Sequence, residues 1–269
     1  MSTTILKPTG PIDQRKLGKM PPKLDRRTLQ LAKYIKALAP PPESASYIQK
    51  IGLQGWPMML NDMIGDCTVA TSGHMMQQWT AYASQMFVPS DKDILRAYMD
   101  VSGYIPGNPW SDQGAYILDV LNYWRRRGIA NHQIDAYAQV TIGDVQELKQ
   151  AVQIFGNCYI GVWLPVTAQD QWQRWYMTPH WRHDPEAAPG TWGGHAVPVV
   201  AYNPEYLWVV TWGKLMQMSW NFYRNYCDEA YAVLSHDWIS ASGRSPSGFD
   251  FQQLADDLSA ISDVPLAGR

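Results

Sequence analysis

The sequence predicts an α+β fold in two lobes, helices first and short strands second. Three observations carry that prediction. From about residue 68 to 155 apolar side chains recur at helical spacing, in segments bounded by Pro and Gly. After residue 158 that period gives way to short runs rich in Val, Tyr and Trp, which read as strands. The chain has 269 residues, 46% hydrophobic and 17% charged, enough for one large domain or two small ones with a real core.

The elements follow in order. Residues 1–50 carry ten Lys/Arg against Asp13, Asp25 and Glu43, which leaves a formal −9 on the remaining 219. Residues 1–49 are therefore read as a basic arm. Its prolines, including Pro40-Pro41-Pro42, keep most of it extended. The spacing of Leu29, Ala32 and Ile35 predicts one helix over 26–38, with Asp25 as its N-cap. Such an arm is a solvated tail, a strap across the protein's own acidic body, or a docking segment for neighbouring subunits. No aromatic interleaving accompanies the charge, so no nucleic acid is expected.

Trp56-Pro57 and Asn61 to Cys67 read as a loop, followed by a helix from Thr68 to about Met86 that places Cys67 at its N-terminus. Further helices are expected over Asp91–Val101, over Gln113–Arg127 up to Gly128, and over Asp144–Phe155. Strands are expected over Cys158–Leu164, Ala196–Tyr202, Tyr206–Trp212 and Ala230–Leu234.

A nucleophilic cysteine needs a lowered pKa, a nearby imidazole and donors for an oxyanion. A helix N-terminus supplies the first to Cys67. His195, after Gly193-Gly194, opens a strand of the second lobe and would face it. Taken singly, a Cys at a helix start and a His at a strand start are more often packing residues.

Five stretches in order change that reading. They are Trp56-Pro57 through Asn61 to Gly65-Asp66-Cys67; Gln113-Gly114-Ala115 with Leu121 to Ile129; Glu147 to Val152 with Gly156; Gly194-His195-Ala196-Val197 with Val200-Ala201-Tyr202; and Thr211-Trp212-Gly213. Together they resemble the papain-like cysteine peptidases, in a divergent bacterial or phage form. The resemblance implies a papain-like domain over 50–240, whose helical first lobe carries the Cys and whose antiparallel β second lobe carries the His, with a tail over 241–269. It implies Cys67 as nucleophile, His195 as general base and acid, and Asn61 in place of the family's oxyanion glutamine. The family's orienting asparagine falls on Val210, with Thr211 beside it as a substitute. Thr68 stands where the family has an aromatic residue, and Asp66 sets a like charge beside the thiolate. The arm is too short and proline-rich for the usual inhibitory helical propeptide.

The implied function is a hydrolase of peptide or amide bonds acting through a thioester at Cys67 on a peptide or protein substrate. The alternative is an inactive papain-fold structural protein, such as a phage capsid or tail component, bound to neighbouring subunits through residues 1–49 and a Trp/Tyr surface. Neither reading needs a cofactor or metal. The location expected is the bacterial cytoplasm or a virion: the secreted members' disulfides are missing, and three cysteines are too few for a disulfide scaffold. No apolar run approaches the roughly 18 residues of a membrane helix, and the first residues lack a signal-peptide layout, so no membrane partner is expected.

Other features read as structural. His180, His183 and Asp184 sit between Pro179 and Pro185 with no third ligand in view, which favours a surface loop over a metal site. Trp163, Trp172, Trp175, Tyr176, Trp181 and Trp192 lie just upstream of His195, where they suit lobe packing, a partner interface or a glycan platform. Cys158 is expected to be buried packing and Cys227 to be half-buried.

Overall fold

Leu29 opens the first strand of the computed structural model, which describes residues 15–35, 39–171, 174–176 and 184–239. In chain order the elements are β1 (Leu29–Gln30), α1 (Ala32–Ile35), β2 (Ala45–Ser46), α2 (Cys67–Ala83), α3 (Asp91–Ser102), α4 (Ile117–Arg127), β3 (Ala136–Gln139) and α5 (Val145–Phe155). They continue with β4 (Cys158–Leu164), β5 (Arg174–Trp175), β6 (Gly193–Tyr202), β7 (Tyr206–Thr211), β8 (Lys214–Ser219), α6 (Trp220–Tyr226) and β9 (Cys227–Leu234). The strands join in the order β1-β3-β9-β4-β6-β7-β8-β5, with β2 added to β6. The α+β expectation holds: the helical lobe carries Cys67 and the largely antiparallel sheet carries His195.

Helix α2 is the shared wall of the two lobes, buried from Cys67 to Ala81. Burial on every side makes a partner valuable to its polar residues, and three of them find one in the backbone of other segments. His74 Nε2 lies 2.8 Å from Pro57 O, Gln77 donates to Gly55 O at 2.7 Å, and Gln78 donates to Gly156 O at 2.7 Å. Trp79 stacks on Trp124 in the main core and donates from Nε1 to Phe155 O. Helix α3 opens with a capping box between Ser90 and Asp93, and Asp144 caps α5 through the amides of Gln146 and Glu147.

Three expectations need correction. The arm helix expected over 26–38 does not start until Ala32, because Asp25 accepts from the Arg27 amide at 2.9 Å to close a turn and Leu29–Gln30 pairs with β3 instead, and residues 36–38 lie outside the described residues. Helix α4 starts at Ile117, not Gln113, since the Ala115 amide and carbonyl both bond to the arm. Cys227 is buried, 7% exposed, at the start of β9. The sheet also holds β3 and β8, which the sequence reading omitted. In β8 the inward residues are Met216 and Met218, a side chain with little strand signature. The β7–β8 turn is Trp212-Gly213, both at positive φ (42° and 69°), as a two-residue hairpin requires. Residues 241–269 and the His180–His183 pair lie outside the described residues.

Candidate active site

Cys67 is placed by the loop that feeds α2. The carboxylate of Asp112 accepts from the Gly65 amide at 3.0 Å and from the Tyr98 hydroxyl at 2.5 Å, which pins the approach to the helix. Asp66 occupies the N-cap position, but its side chain turns back to accept from Asn61 Nδ2 at 3.2 Å and does not cap. The first-turn amides therefore keep their partial positive charge beside the thiol. The backbone amides of Ala196 and Gly18 favour the charged form of the Cys67 thiol against its burial. Ala196 follows His195 on β6, so the thiol sits against the strand that carries the imidazole.

His195 is held on three sides. Its Nε2 lies 2.8 Å from Thr211 Oγ1 on the neighbouring strand β7. Trp212 stacks on the imidazole with ring centroids 4.3 Å apart, and Trp175 meets it edge-on at 6.3 Å. With Nε2 engaged by the hydroxyl, Nδ1 is buried and makes no hydrogen bond among the described residues.

The arm closes the cleft over both residues. Residues 16–20 run in extended form from the Asn61 loop, past Cys67, to Ala115. Lys16 N donates to Asn61 O at 3.1 Å, and Trp212 Nε1 donates to Lys16 O at 3.1 Å. Ala115 N donates to Gly18 O at 2.7 Å, Met20 N to Ala115 O at 3.0 Å, and Lys19 N to Gly194 O at 3.1 Å. Gly18 is required by the closeness of this crossing, since a Cβ there would lie 1.6 Å from Gly65 O. Arg15 adds its guanidinium over Trp192 and Trp212, at 4.6 and 5.2 Å from the ring centroids. Cys67 and His195 are each 1% exposed as a result.

Burial sets the electrostatics of this closed state. It pushes the Cys67 thiol up to about 12, with Asp66 adding to the rise and the Ala196 and Gly18 amides and Lys19 opposing it. It lowers His195 to about 3, with Arg15 adding to the effect. The resting pair is a neutral thiol and a neutral imidazole.

Of the residues singled out from sequence, His195 and Thr211 are in direct contact, and Cys67, at the start of α2, lies where that helix packs on β6, the strand of His195. Asn61 borders it, 3% exposed, with its amide donating to Asp66 and to Ile64 O. Val210, the position counted from the Trp-Gly pair, faces the other side of the sheet with Trp56 and Val200. Strands alternate faces, so the residue able to reach His195 is Thr211. Trp175 and Trp192 from the Trp-rich stretch line the site, whereas Trp172 and Trp181 fall outside the described residues. Sequence reasoning missed Gly18, Lys19, Asp228 and Glu229. The one signal available was a pair of acids, Asp228-Glu229, leading into an otherwise apolar strand.

The same architecture occurs in solved cysteine proteases. Xylellain, a cysteine protease from Xylella fastidiosa, superposes with a TM-score of 0.59 at 16% identity, over 82% of this chain and 97% of that one. The Carica candamarcensis cysteine protease in complex with E-64 gives 0.54 at 16%, over 72% and 99%. Procathepsin L2 from the larval midgut of Tenebrio molitor gives 0.58 at 13%, over 85% and 81%. The chain thus has the papain-like fold. No family model matches it. No curated protein matches it in sequence. Among the described residues, no helix is long and apolar enough to cross a membrane, and no group of three His, Cys, Asp or Glu side chains could hold a metal ion.

Proposed function

We propose that this chain is a cysteine hydrolase of peptide or related amide bonds whose cleft is closed at rest by its own arm. The observation that supports it best is the cluster itself: a thiol at a helix start, against the strand of a histidine whose Nε2 is held by Thr211 and whose Nδ1 is left unbonded. Once the arm leaves, water returns and the two burial-driven shifts relax toward ordinary values. His195 then takes the Cys67 proton, and the thiolate attacks the substrate carbonyl carbon. The C–N bond breaks as the imidazolium gives its proton to the leaving amine, and a thioester remains on Cys67. Water, deprotonated by His195, attacks the thioester, releasing the carboxylic acid and restoring the thiol. The backbone N–H of Cys67 serves the oxyanion, with the Asn61 amide as second donor after it turns from Asp66.

The test is turnover of a mixed peptide substrate by the full chain carrying Gly18→Ala, which expels the strap without touching Cys67 or His195. Turnover is expected there, and loss of it in the added Cys67→Ser or His195→Ala variants. Full turnover with Cys67→Ser would show that the mechanism is wrong.

One observation favours a second reading, a papain-fold interaction protein without catalysis, in a virion or another assembly. The Asn61 amide is committed to the buried Asp66, so the oxyanion donor is not free. In that case deleting the arm abolishes assembly, while Cys67→Ser leaves it intact.

A further inference from the structure

Lys19 is the deepest residue of the strap. Its side chain is fully buried, and its ammonium lies 2.7 Å from Asp228 Oδ2 and 3.1 Å from Glu229 Oε1 on β9. The same ammonium donates to Met20 O at 3.2 Å and sits 5.0 Å from the Trp163 ring centroid. The pocket floor is Gly161 of β4: a Cβ at that position would lie 2.1 Å from Lys19 Cε, so any other residue there would fill the space the lysine stem occupies. A buried carboxylate, Glu229, and a partly exposed one, Asp228, on one ammonium leave acceptors in excess. Glu229, 1% exposed, has its Oε1 within ion-pair distance and yet in no hydrogen bond. A site built this way discriminates, because an apolar guest would leave the buried Glu229 carboxylate without a counter-charge. It adjoins the proposed catalytic residues, since Gly18, the residue before Lys19, packs on Gly65, two residues before Cys67, and Lys19 N donates to the carbonyl of Gly194, the residue before His195.

We propose that the cleft recognises an extended polypeptide by a lysine or arginine side chain seated against Asp228 and Glu229, beside Cys67, and that Lys19 holds that place in the resting chain. Cleavage of the bound polypeptide rests on the hydrolase reading, but the pocket's selectivity does not depend on turnover. Arginine has the better fit to the unfilled acceptors, because its fork carries five donors against three.

The experiment uses the full chain carrying Gly18→Ala and Cys67→Ala, with fluorescent peptides of the strap sequence Lys16 to Pro21. The peptides differ only at the position of Lys19, which is Lys, Arg, Leu or Glu. Lys and Arg peptides are expected to bind at least about tenfold more tightly than Leu, and Glu not to bind. Adding Asp228→Asn and Glu229→Gln removes the preference. Equal binding of the Leu peptide, or a preference unchanged by the two pocket substitutions, overturns the proposal. A second measurement covers the case in which Gly18→Ala does not fold: Cys67 alkylation in chains altered only at Lys19. Lys19→Arg should keep the cleft closed and Lys19→Leu open it, and equal rates for the two overturn the proposal. A clear preference for basic peptides with no cleavage when Cys67 is restored would sink the hydrolase reading alone and leave the pocket standing.

Discussion

Two stretches of one basic arm end in opposite circumstances. Lys19 is buried against two carboxylates at the back of the cleft, whereas Lys23 and Arg27 meet Asp119 and Asp25 at the surface, with the two basic side chains 41% and 74% exposed. Residue type, local composition and proline content are alike. What differs is the partner: Asp25 is two residues from Arg27, while Asp228 is 209 residues from Lys19. Charge in the arm is therefore not one property. Near Lys23 and Arg27 it keeps the segment solvated, and at Lys19 it locks the cleft.

The largest way to break this contrast is to eject the strap. Gly18→Ala should raise the alkylation rate of Cys67 by iodoacetamide at pH 7 by about a thousandfold, as the thiol falls from about 12 toward the free-cysteine value of about 8.5. Peptide mass spectrometry between pH 5 and 9 checks it. An unaltered rate would mean that the arm is not what silences the thiol.

Next in size is loss of the buried ion pair. Lys19→Ala should destabilise the chain by about 3–5 kcal/mol at pH 7, read by urea unfolding. The pH dependence identifies the cause. Burial holds Asp228 and Glu229 above their ordinary values, against the pull of Lys19. A carboxyl whose folded pKa is raised binds more protons folded than unfolded, so stability falls as pH rises through that window. The deficit of Lys19→Ala should shrink toward acid pH, where both groups are protonated; a constant deficit would point to lost packing only.

The unaltered chain should respond to acid in the other direction. His195 is lowered to about 3 and His74 to about 4 by burial, so the unfolded chain takes up their protons first. Stability should fall as pH drops from about 6.5 through those values, and Gly18→Ala should soften the His195 share by admitting water. Thr211→Val removes the hydroxyl that holds Nε2 and is expected to cost about 1–3 kcal/mol, with slower acylation in any open form. The smallest effect belongs to the surface: Lys23→Ala should change stability by no more than about 1 kcal/mol and leave Cys67 alkylation unaltered.

Much of the framework was legible from local pattern. Helix α5 and strand β4 came out as expected because period and boundary residues agree there, Asp144 as cap at one end and an unbroken Val-, Tyr- and Trp-containing run in the other. The arm helix failed because Leu29 and Gln30 had a sheet edge to join, a contact 109 residues away at Gln139 that helical spacing ignores. Choosing between Val210 and its neighbour Thr211 needed the sheet for a related reason. A one-residue offset moves a strand residue to the opposite face, and only the registered sheet shows that Thr211 is the one facing His195.

Chemical identity and chain order are properties of the linear sequence: a cysteine at a helix start, a histidine after two glycines, a basic arm before an acidic body. Whether those groups are charged, exposed or paired is not, because it depends on which atoms from distant segments exclude water. Crossing of the strap at Gly18, the neutral state of the Cys67 and His195 pair, and the pocket around Lys19 all arise from contacts between segments distant in sequence, 209 residues apart for Lys19 and Asp228. Tertiary structure decided them, since desolvation scales with the surroundings that packing assembles and not with the residue itself.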